Sequence, residues 1–192
     1  MPRSEPLDHL SGAITALRDA LDELAVPHVF IGAVAVAAIG RPRMTRDVDA
    51  LVILGDTSLS SLLDALKRQG IVPRIEEAED FAAKHYVLLL LHEQSGVPIE
   101  VSLGMLPFEK EAIGRAEERD LKGVRLRTPS PEDLIVMKAV AHRAQDLEDI
   151  RTIAAANPGL NREQVMRDLK PFAEALDAPE LLTEVKRILA ER

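Results

Sequence analysis

The spacing of hydrophobic residues alternates along the chain between a helical and a strand-like period. From residue 7 to 25, apolar side chains recur every three or four positions, which predicts an amphipathic helix. Periodicity, composition and capping residues predict further helices at 32–39, 59–69, 109–119, 131–142, 145–156, 162–176 and 179–189. Short apolar runs predict strands at 28–31, 47–54, 86–92, 97–103 and 124–127. The charged segment 76–84 is predicted to form a loop or a short helix.

The order of these elements indicates two parts. Strands and helices are mixed up to residue 128, whereas only helices are predicted after Pro129. Ser130 and Pro131 form a strong helix start, because serine caps a first turn and proline fits its first position. The sequence therefore predicts an α/β (α+β) fold, with a small mixed sheet flanked by helices over residues 1–128. A helical C-terminal domain is predicted over residues 129–192.

Composition and charge narrow the possible functions. The 192 residues are 46% hydrophobic, enough for a sizeable core, but only 3% aromatic, which disfavours a surface that stacks nucleic-acid bases. A net charge of −8 disfavours non-specific nucleic-acid binding, although a specific RNA could still bind a local basic patch. The absence of cysteine removes disulfides, thiolate catalysis and cysteine-bound zinc, and is consistent with a cytoplasmic protein.

Neither a secretory signal nor a membrane span is predicted. The first six residues are polar and include an acid, unlike a signal peptide. The longest apolar run, residues 29–40, is too short to cross a bilayer. We therefore expect a soluble cytoplasmic protein with no membrane partner.

Two aspartates at the start of a predicted strand are the main candidates for chemistry. Asp47 and Asp49 follow a strand, the turn residue Gly32, a short apolar helix and a loop with several arginines. Residues two apart on a strand point the same way, so the two carboxylates would lie side by side. A divalent cation is the usual way to stabilise such a pair, which makes phosphoryl chemistry on a nucleotide the leading hypothesis. The alternative is a solvated strand end with capping aspartates.

Other charged residues could complete such a site. Glu100 interrupts an apolar strand and is a candidate third carboxylate, or an ordinary solvent-facing residue. Lys138 and Asp146 are eight positions apart and share one face if a single helix runs through His142. Spacing alone favours a salt-bridged surface for that face. Arginines precede the two aspartates, where the phosphates of a nucleotide would lie: Arg41, Arg43 and Arg46.

Two segments of the chain together resemble the nucleotidyltransferase superfamily related to DNA polymerase β. The first comprises Ile31-Gly32-Ala33-Val34-Ala35 and Arg43-Met44-Thr45-Arg46-Asp47-Val48-Asp49, which are similar to a glycine turn and an Arg-x-Thr-x-Asp-hydrophobic-Asp motif. The second, 131–150, resembles a helical element with a lysine and an Asp-x-x-Asp pair. The AbiEii-type toxins of toxin–antitoxin systems are the nearest look-alikes.

This resemblance implies a nucleotidyltransferase core over 1–128 that uses Mg²⁺ or Mn²⁺ and a nucleoside triphosphate. Asp47 and Asp49 would bind the metal, with Glu100 as the third ligand. Lys138 would contact the triphosphate and Asp146 would complete the catalytic set. The remaining implied nucleotide-binding residues match the first segment: Gly32, Ala33, Arg43, Thr45 and Arg46.

The resemblance also implies a partner. The acceptor would be a hydroxyl of RNA, tRNA or a protein, and a cognate antitoxin would restrain a toxin. Three departures from the family pattern keep other functions open: Ala33 replaces glycine or serine, Glu100 replaces aspartate and Gln145 replaces a basic residue. The alternatives are a catalytically degenerate nucleotide-binding or interaction module, or a small-molecule nucleotidyltransferase of an aminoglycoside type.

Overall fold

A computed structural model of the protein describes residues 8–41 and 44–191. Its central feature is a mixed sheet with the strand order β1-β2-β5-β4-β3, in which β2 and β5 pair in parallel and the other neighbours are antiparallel. A separate antiparallel ribbon consists of β6 and β7. The strands are β1 His28–Ile31, β2 Val48–Val52, β3 Ile71–Pro73, β4 Val87–His92, β5 Val97–Leu103, β6 Glu117–Leu121 and β7 Val124–Thr128.

In the described part of the chain, helices flank this sheet, and helices alone form the C-terminal third of the chain. A short 3₁₀ turn, Asp8–Leu10, precedes the first of them. They are α1 Ser11–Glu23, α2 Gly32–Ile39, α3 Leu59–Arg68, α4 Ala78–His85, α5 Pro107–Gly114, α6 Pro131–Ala141, α7 Ala144–Ala156, α8 Arg162–Ala175 and α9 Glu180–Ala190. No helix within the described ranges is both long and apolar enough to cross a membrane. The predicted fold class is confirmed.

The two faces of the sheet have different roles. Apolar side chains of α1 and α3 cover one face, among them Leu17, Leu62 and Leu66, which are fully buried. Burial of each such leucine contributes about 1.5–3 kcal/mol to stability. The other face carries Asp49 and Glu100, and α5 and α6 pack on it farther along the strands through Ile113 and Met137.

A second core joins the C-terminal helices to the sheet. It contains buried residues of α6 to α9 and also three residues of α2: Ala35, Val36 and Ile39. The glycine turn before α2 is therefore anchored between the sheet and the C-terminal helices. The boundary predicted after residue 128 stays a prediction.

Several local predictions differ from the structure. The predicted helix 109–119 instead begins at Pro107 and ends at Gly114, because β6 follows and pairs with β7. The strands β3 and β6 were not predicted, since β3 has three residues and β6 is mostly charged. Asp47 lies just before β2 and not on it, so the two aspartates do not belong to one strand.

Candidate active site

A cleft of about 560 Å³ lies between the carboxylate-bearing face of the sheet and the junction of α6 and α7. It brings together the predicted site residues that the structure describes, except Arg41, which is exposed and does not line the cleft. Arg43, also predicted to bind the nucleotide, lies outside the described residues. The predicted residues that line the cleft are Gly32, Ala33, Thr45, Arg46, Asp47, Asp49, Glu100, Lys138 and Asp146.

Gly32 and Asp49 are in close contact across β1 and β2. Ile31 pairs with Asp49 in the antiparallel register, so the turn at Gly32 lies beside the carboxylate. Gly32 has φ of +62°, a left-handed conformation that favours glycine. A Cβ atom at this position would overlap Asp49 Oδ2 and lie 2.8 Å from Asp49 Cγ. Glycine is therefore required here both by the backbone conformation and by the neighbouring carboxylate.

Asp47 lies at the opening of the cleft and is held by a neighbouring hydroxyl. The buried Thr45 donates a hydrogen bond from Oγ1 to Asp47 Oδ1, whereas the aspartate itself is exposed. This bond fixes the direction of one carboxylate oxygen and leaves the other accessible. The threonine of the predicted Thr-x-Asp pattern thus orients the first aspartate.

The surroundings of Asp49 disfavour the charged form of its carboxylate. Burial, followed by the negative charges of Asp47 and Glu100, raises the pKa of Asp49 to about 6, against the opposing influence of Lys138 and Arg143. A bound cation would relieve this repulsion. The donor set of carboxylate oxygens is the one that Mg²⁺ and Mn²⁺ prefer, so Asp47 and Asp49 fit a divalent metal.

Glu100 is the direct neighbour of Asp49 in the parallel register of β2 and β5. Its side chain is 47% exposed, and its Oε1 accepts a hydrogen bond of 3.1 Å from Arg74. Within the described ranges, no group of three acidic, histidine or cysteine side chains is arranged to hold a metal ion. The predicted role of Glu100 as a third metal ligand therefore stays a prediction.

Lys138 and Asp146 meet, but on two helices. The predicted helical face assumed that one helix continues through His142, which is wrong. His142 has φ of +52° and ends α6, and α7 starts two residues later. Lys138 Nζ nevertheless lies 2.9 Å from Asp146 Oδ1, and also 2.9 Å from Asp149 Oδ2. All three side chains are at most 5% exposed, and together they form a buried group that we call the Lys138 cluster.

Arg143 completes this cluster and was not among the predicted site residues. Its side chain is 74% exposed and lines the cleft, and its Nε lies 2.6 Å from Asp146 Oδ2. Although burial opposes it, hydrogen bonds from Arg143 and then Lys138 hold the pKa of Asp146 below its usual value. The sequence carried a signal for Arg143 and Asp149, since Arg143, Asp146 and Asp149 follow one another at intervals of three residues.

We expect the variant Lys138→Met to be destabilised by about 3–5 kcal/mol, because it removes the buried ammonium group that contacts both Asp146 and Asp149 and leaves Arg143 as the remaining cation on Asp146. Urea unfolding at pH 7 measures this change. Lys170→Met is the matched control: Lys170 pairs with Glu174 at 3.7 Å on the surface of α8, where loss of the pair costs about 0.5 kcal/mol or less. A Lys138→Met variant as stable as the control would show that the cluster is not structural.

Comparison with known proteins decides the family. A sequence model of the family described as nucleotidyl transferase of unknown function (DUF2204) matches residues 11–187. The chain belongs to this family. The protein is thus a nucleotidyltransferase, and a nucleotide is one of its substrates. The narrower resemblance to AbiEii-type toxins stays a prediction. A comparison with curated proteins found no match.

Solved structures similar to this nucleotidyltransferase agree on the fold. The solution structure of the antibiotic-resistance factor ANT(2'')-Ia has a TM-score of 0.61 and 18% identity, with 88% of this chain and 94% of that chain covered. The crystal structure of ANT(2'')-Ia in complex with adenylyl-2''-tobramycin has a TM-score of 0.60 and 20% identity, with 86% of this chain and 98% of that chain covered. The crystal structure of an antigenic nucleotidyltransferase-like protein from Paracoccidioides brasiliensis has a TM-score of 0.53 and 17% identity, with 93% of each chain covered.

Proposed function

We propose that this nucleotidyltransferase moves a nucleoside monophosphate from a nucleoside triphosphate to an acceptor hydroxyl, with a divalent metal held by Asp47 and Asp49. The observation that carries this proposal is the convergence of the glycine turn, both aspartates and the Lys138 cluster on one cleft. These residues come from segments about a hundred positions apart in the sequence. Charged residues that only form salt bridges on the protein surface would not need to converge on the same cleft as the glycine turn.

The N-terminal end of α2 and two arginines would bind the triphosphate. The first N–H groups of a helix have no partner within the helix and favour phosphate oxygens. Gly32 and Ala33 form that end of α2 and line the cleft. The exposed side chains of Arg46 and Arg143 supply compensating positive charge. Lys138 lines the cleft, but its buried ammonium group is paired with Asp146 and Asp149, so its direct contact with the triphosphate stays a prediction.

The reaction places an acceptor hydroxyl in line with the α-phosphorus. A bond forms between the acceptor oxygen and phosphorus, the bond to the bridging oxygen breaks, and pyrophosphate leaves. A divalent metal held by Asp47 and Asp49 would polarise the phosphate and lower the pKa of the hydroxyl. Glu100, beside Asp49 and accessible to solvent, takes the hydroxyl proton in this proposal, and Arg74 orients its carboxylate.

The acceptor has two candidate classes. The resemblance to AbiEii-type toxins extends the proposal to RNA, tRNA or a protein, with a cognate antitoxin as partner. The fold shared with ANT(2'')-Ia and the net charge of −8 support a small molecule instead, since an acidic protein suits a cationic acceptor. A degenerate module that binds nucleotide without turnover is the remaining alternative, motivated by Ala33.

Thermal unfolding with each of the four nucleoside triphosphates, with and without Mg²⁺, tests the proposal. A nucleotide at about one hundred times its Kd should stabilise the protein by about 2.7 kcal/mol. We expect the metal-dependent part of this shift to disappear in Asp47→Asn. It should persist in Asp64→Asn, an exposed control on α3, whose helix covers the opposite face of the sheet.

Pyrophosphate release with added acceptors then separates an enzyme from a degenerate module. We expect turnover by the wild type and by Asp64→Asn, and none by Asp47→Asn. Equal binding and turnover by Asp47→Asn would refute the assignment of this cleft. A metal-dependent shift without turnover on RNA, protein or antibiotic acceptors would support the degenerate alternative.

A further inference from the structure

A second cavity, of about 210 Å³, adjoins the active cleft on the same face of the sheet. The two cavities share Ile31, Ser102 and Met137. The remaining walls come from β2, α5 and its preceding loop, α6 and α8, and consist mainly of Leu51, Leu106, Phe108, Val140 and Phe172. The second cavity is therefore a side pocket of the cleft that holds the carboxylates.

The side pocket lies close to the reacting groups. Ser102 follows Glu100 by two residues on β5, so both side chains are on the same face and about 7 Å apart along the strand. Leu51 pairs with Ser102 just as Asp49 pairs with Glu100. A ligand whose hydroxyl lies beside Glu100 can therefore place its next group over Ser102 and into the pocket.

The chemistry of the side pocket is apolar. Phe108 and Phe172 pack edge to face with ring centroids 5.3 Å apart, and Met137 and Val140 are only partly buried by other residues. Among its described lining residues, Ser102 and Glu109 are polar. Glu109 Oε2 already accepts hydrogen bonds from the backbone N–H groups of Met105 and Leu106 at 2.7 and 2.8 Å.

A nucleobase is a poor occupant for this pocket. Its polar edge needs several hydrogen-bond partners, and burying polar groups without such partners is unfavourable. An apolar ring gives up no hydrogen bond on entry, and an engineered apolar cavity of about 150 Å³ binds benzene in another protein. The volume and lining therefore suit one apolar ring or branched alkyl group.

We propose that the side pocket binds an apolar ring of a small-molecule acceptor, adjacent to the hydroxyl that receives the nucleotide. This inference rests on the proposed function, because it assigns the second substrate of the same reaction. It favours a small hydroxyl compound with an aromatic or alicyclic group over RNA and over a wholly polar sugar acceptor. Specificity would then be set by Met137, Val140 and Phe172.

Methionine methyl NMR with indole as the probe tests the pocket directly. Met137 lies in the pocket, Met105 lines a different apolar groove beside Tyr86, and Met166 is on α8. With ¹³C-labelled methionine methyl groups, assigned by single Met→Leu substitutions, we expect a saturable indole-induced shift at Met137. A shift confined to Met105, or none at Met137 at millimolar indole, would overturn the inference.

Substitutions that fill the side pocket with a larger side chain give a second test of the site. Val140→Phe and Leu106→Trp each add a ring to the pocket, and either should weaken indole binding at least tenfold. Leu106 is 46% exposed at the rim, so its replacement guards against a Val140→Phe variant that does not fold. Ala83→Phe, which adds a ring to the groove beside Tyr86, should leave indole binding unchanged. Undiminished binding in both pocket variants would refute the site.

A nucleotide titration separates the failure of this inference from that of the proposed function. On the wild type, indole and a nucleoside triphosphate with Mg²⁺ should bind together, with less than a twofold change in the affinity of either. Competition would show that the pocket holds the nucleobase and overturn the acceptor assignment. Indole binding at Met137 without any nucleotide binding would overturn the proposed function, and the acceptor role with it.

Discussion

Replacing Gly32 with alanine should lower nucleotidyl transfer at least about 100-fold and destabilise the protein by about 2–4 kcal/mol. The left-handed backbone of Gly32 costs an alanine about 1–2 kcal/mol. The new Cβ would also lie 2.8 Å from Asp49 Cγ, so the carboxylate or the turn must move. A displacement of about 1 Å of a positioned group can cost about 100-fold in rate.

Gly70→Ala is the matched control for this prediction. Gly70 has φ of +70°, but among the described residues no atom beyond its two chain neighbours lies within 4 Å of the Cβ that alanine would add. It should therefore lose about 1–2 kcal/mol from the backbone alone and keep full transfer activity. Urea unfolding and initial rates of pyrophosphate release on both variants measure the difference. Equal losses of activity would show that the contact with Asp49 does not matter.

The local part of this site was predictable because the glycine turn and the strand before it are specified by neighbouring residues. The predicted bounds of β1 and α2, 28–31 and 32–39, are confirmed. Apolar side chains flank Gly32 on both sides, and a glycine between them permits the turn that a strand-to-helix junction needs. The predicted capping role of Ser130 is also confirmed, since its side chain accepts a hydrogen bond from the N–H of Asp133.

The convergence of segments that are distant in the sequence was predictable only through the resemblance of their motifs to a known family. Helical spacing gave the wrong reason for the meeting of Lys138 and Asp146, because the helix ends at His142. The left-handed backbone at that residue is uncommon for any residue other than glycine, so the spacing gave no sign of the break. The contact comes from the packing of α7 against α6. The strand β6 was missed because its residues are mostly charged, and only its pairing with β7 makes it a strand.

Asp49→Asn should make the ligand-free protein more stable at pH 7, by about 2–3 kcal/mol. The pKa of Asp49 is raised to about 6 in the folded protein, from an ordinary value of 3.8. The folded state therefore holds a proton that the unfolded chain releases between these values, so stability falls as pH rises through that window. Asparagine removes the charge. Urea unfolding at pH 7 should show the gain, and unfolding near pH 4 should show little.

The same variant should lose transfer by at least about 1,000-fold, equivalent to about 4 kcal/mol of transition-state stabilisation, because Asp49 would no longer hold the metal. Nucleotide with Mg²⁺ at about 1,000 times its Kd should then reverse the order of stability, because metal-dependent binding adds about 4 kcal/mol to the wild type and not to the variant. Such a reversal would mean that the repulsion among Asp47, Asp49 and Glu100 is retained for cation binding. If Asp49→Asn were less stable than the wild type without ligand, the carboxylate would instead be a structural partner, and its raised pKa would have no connection with metal binding.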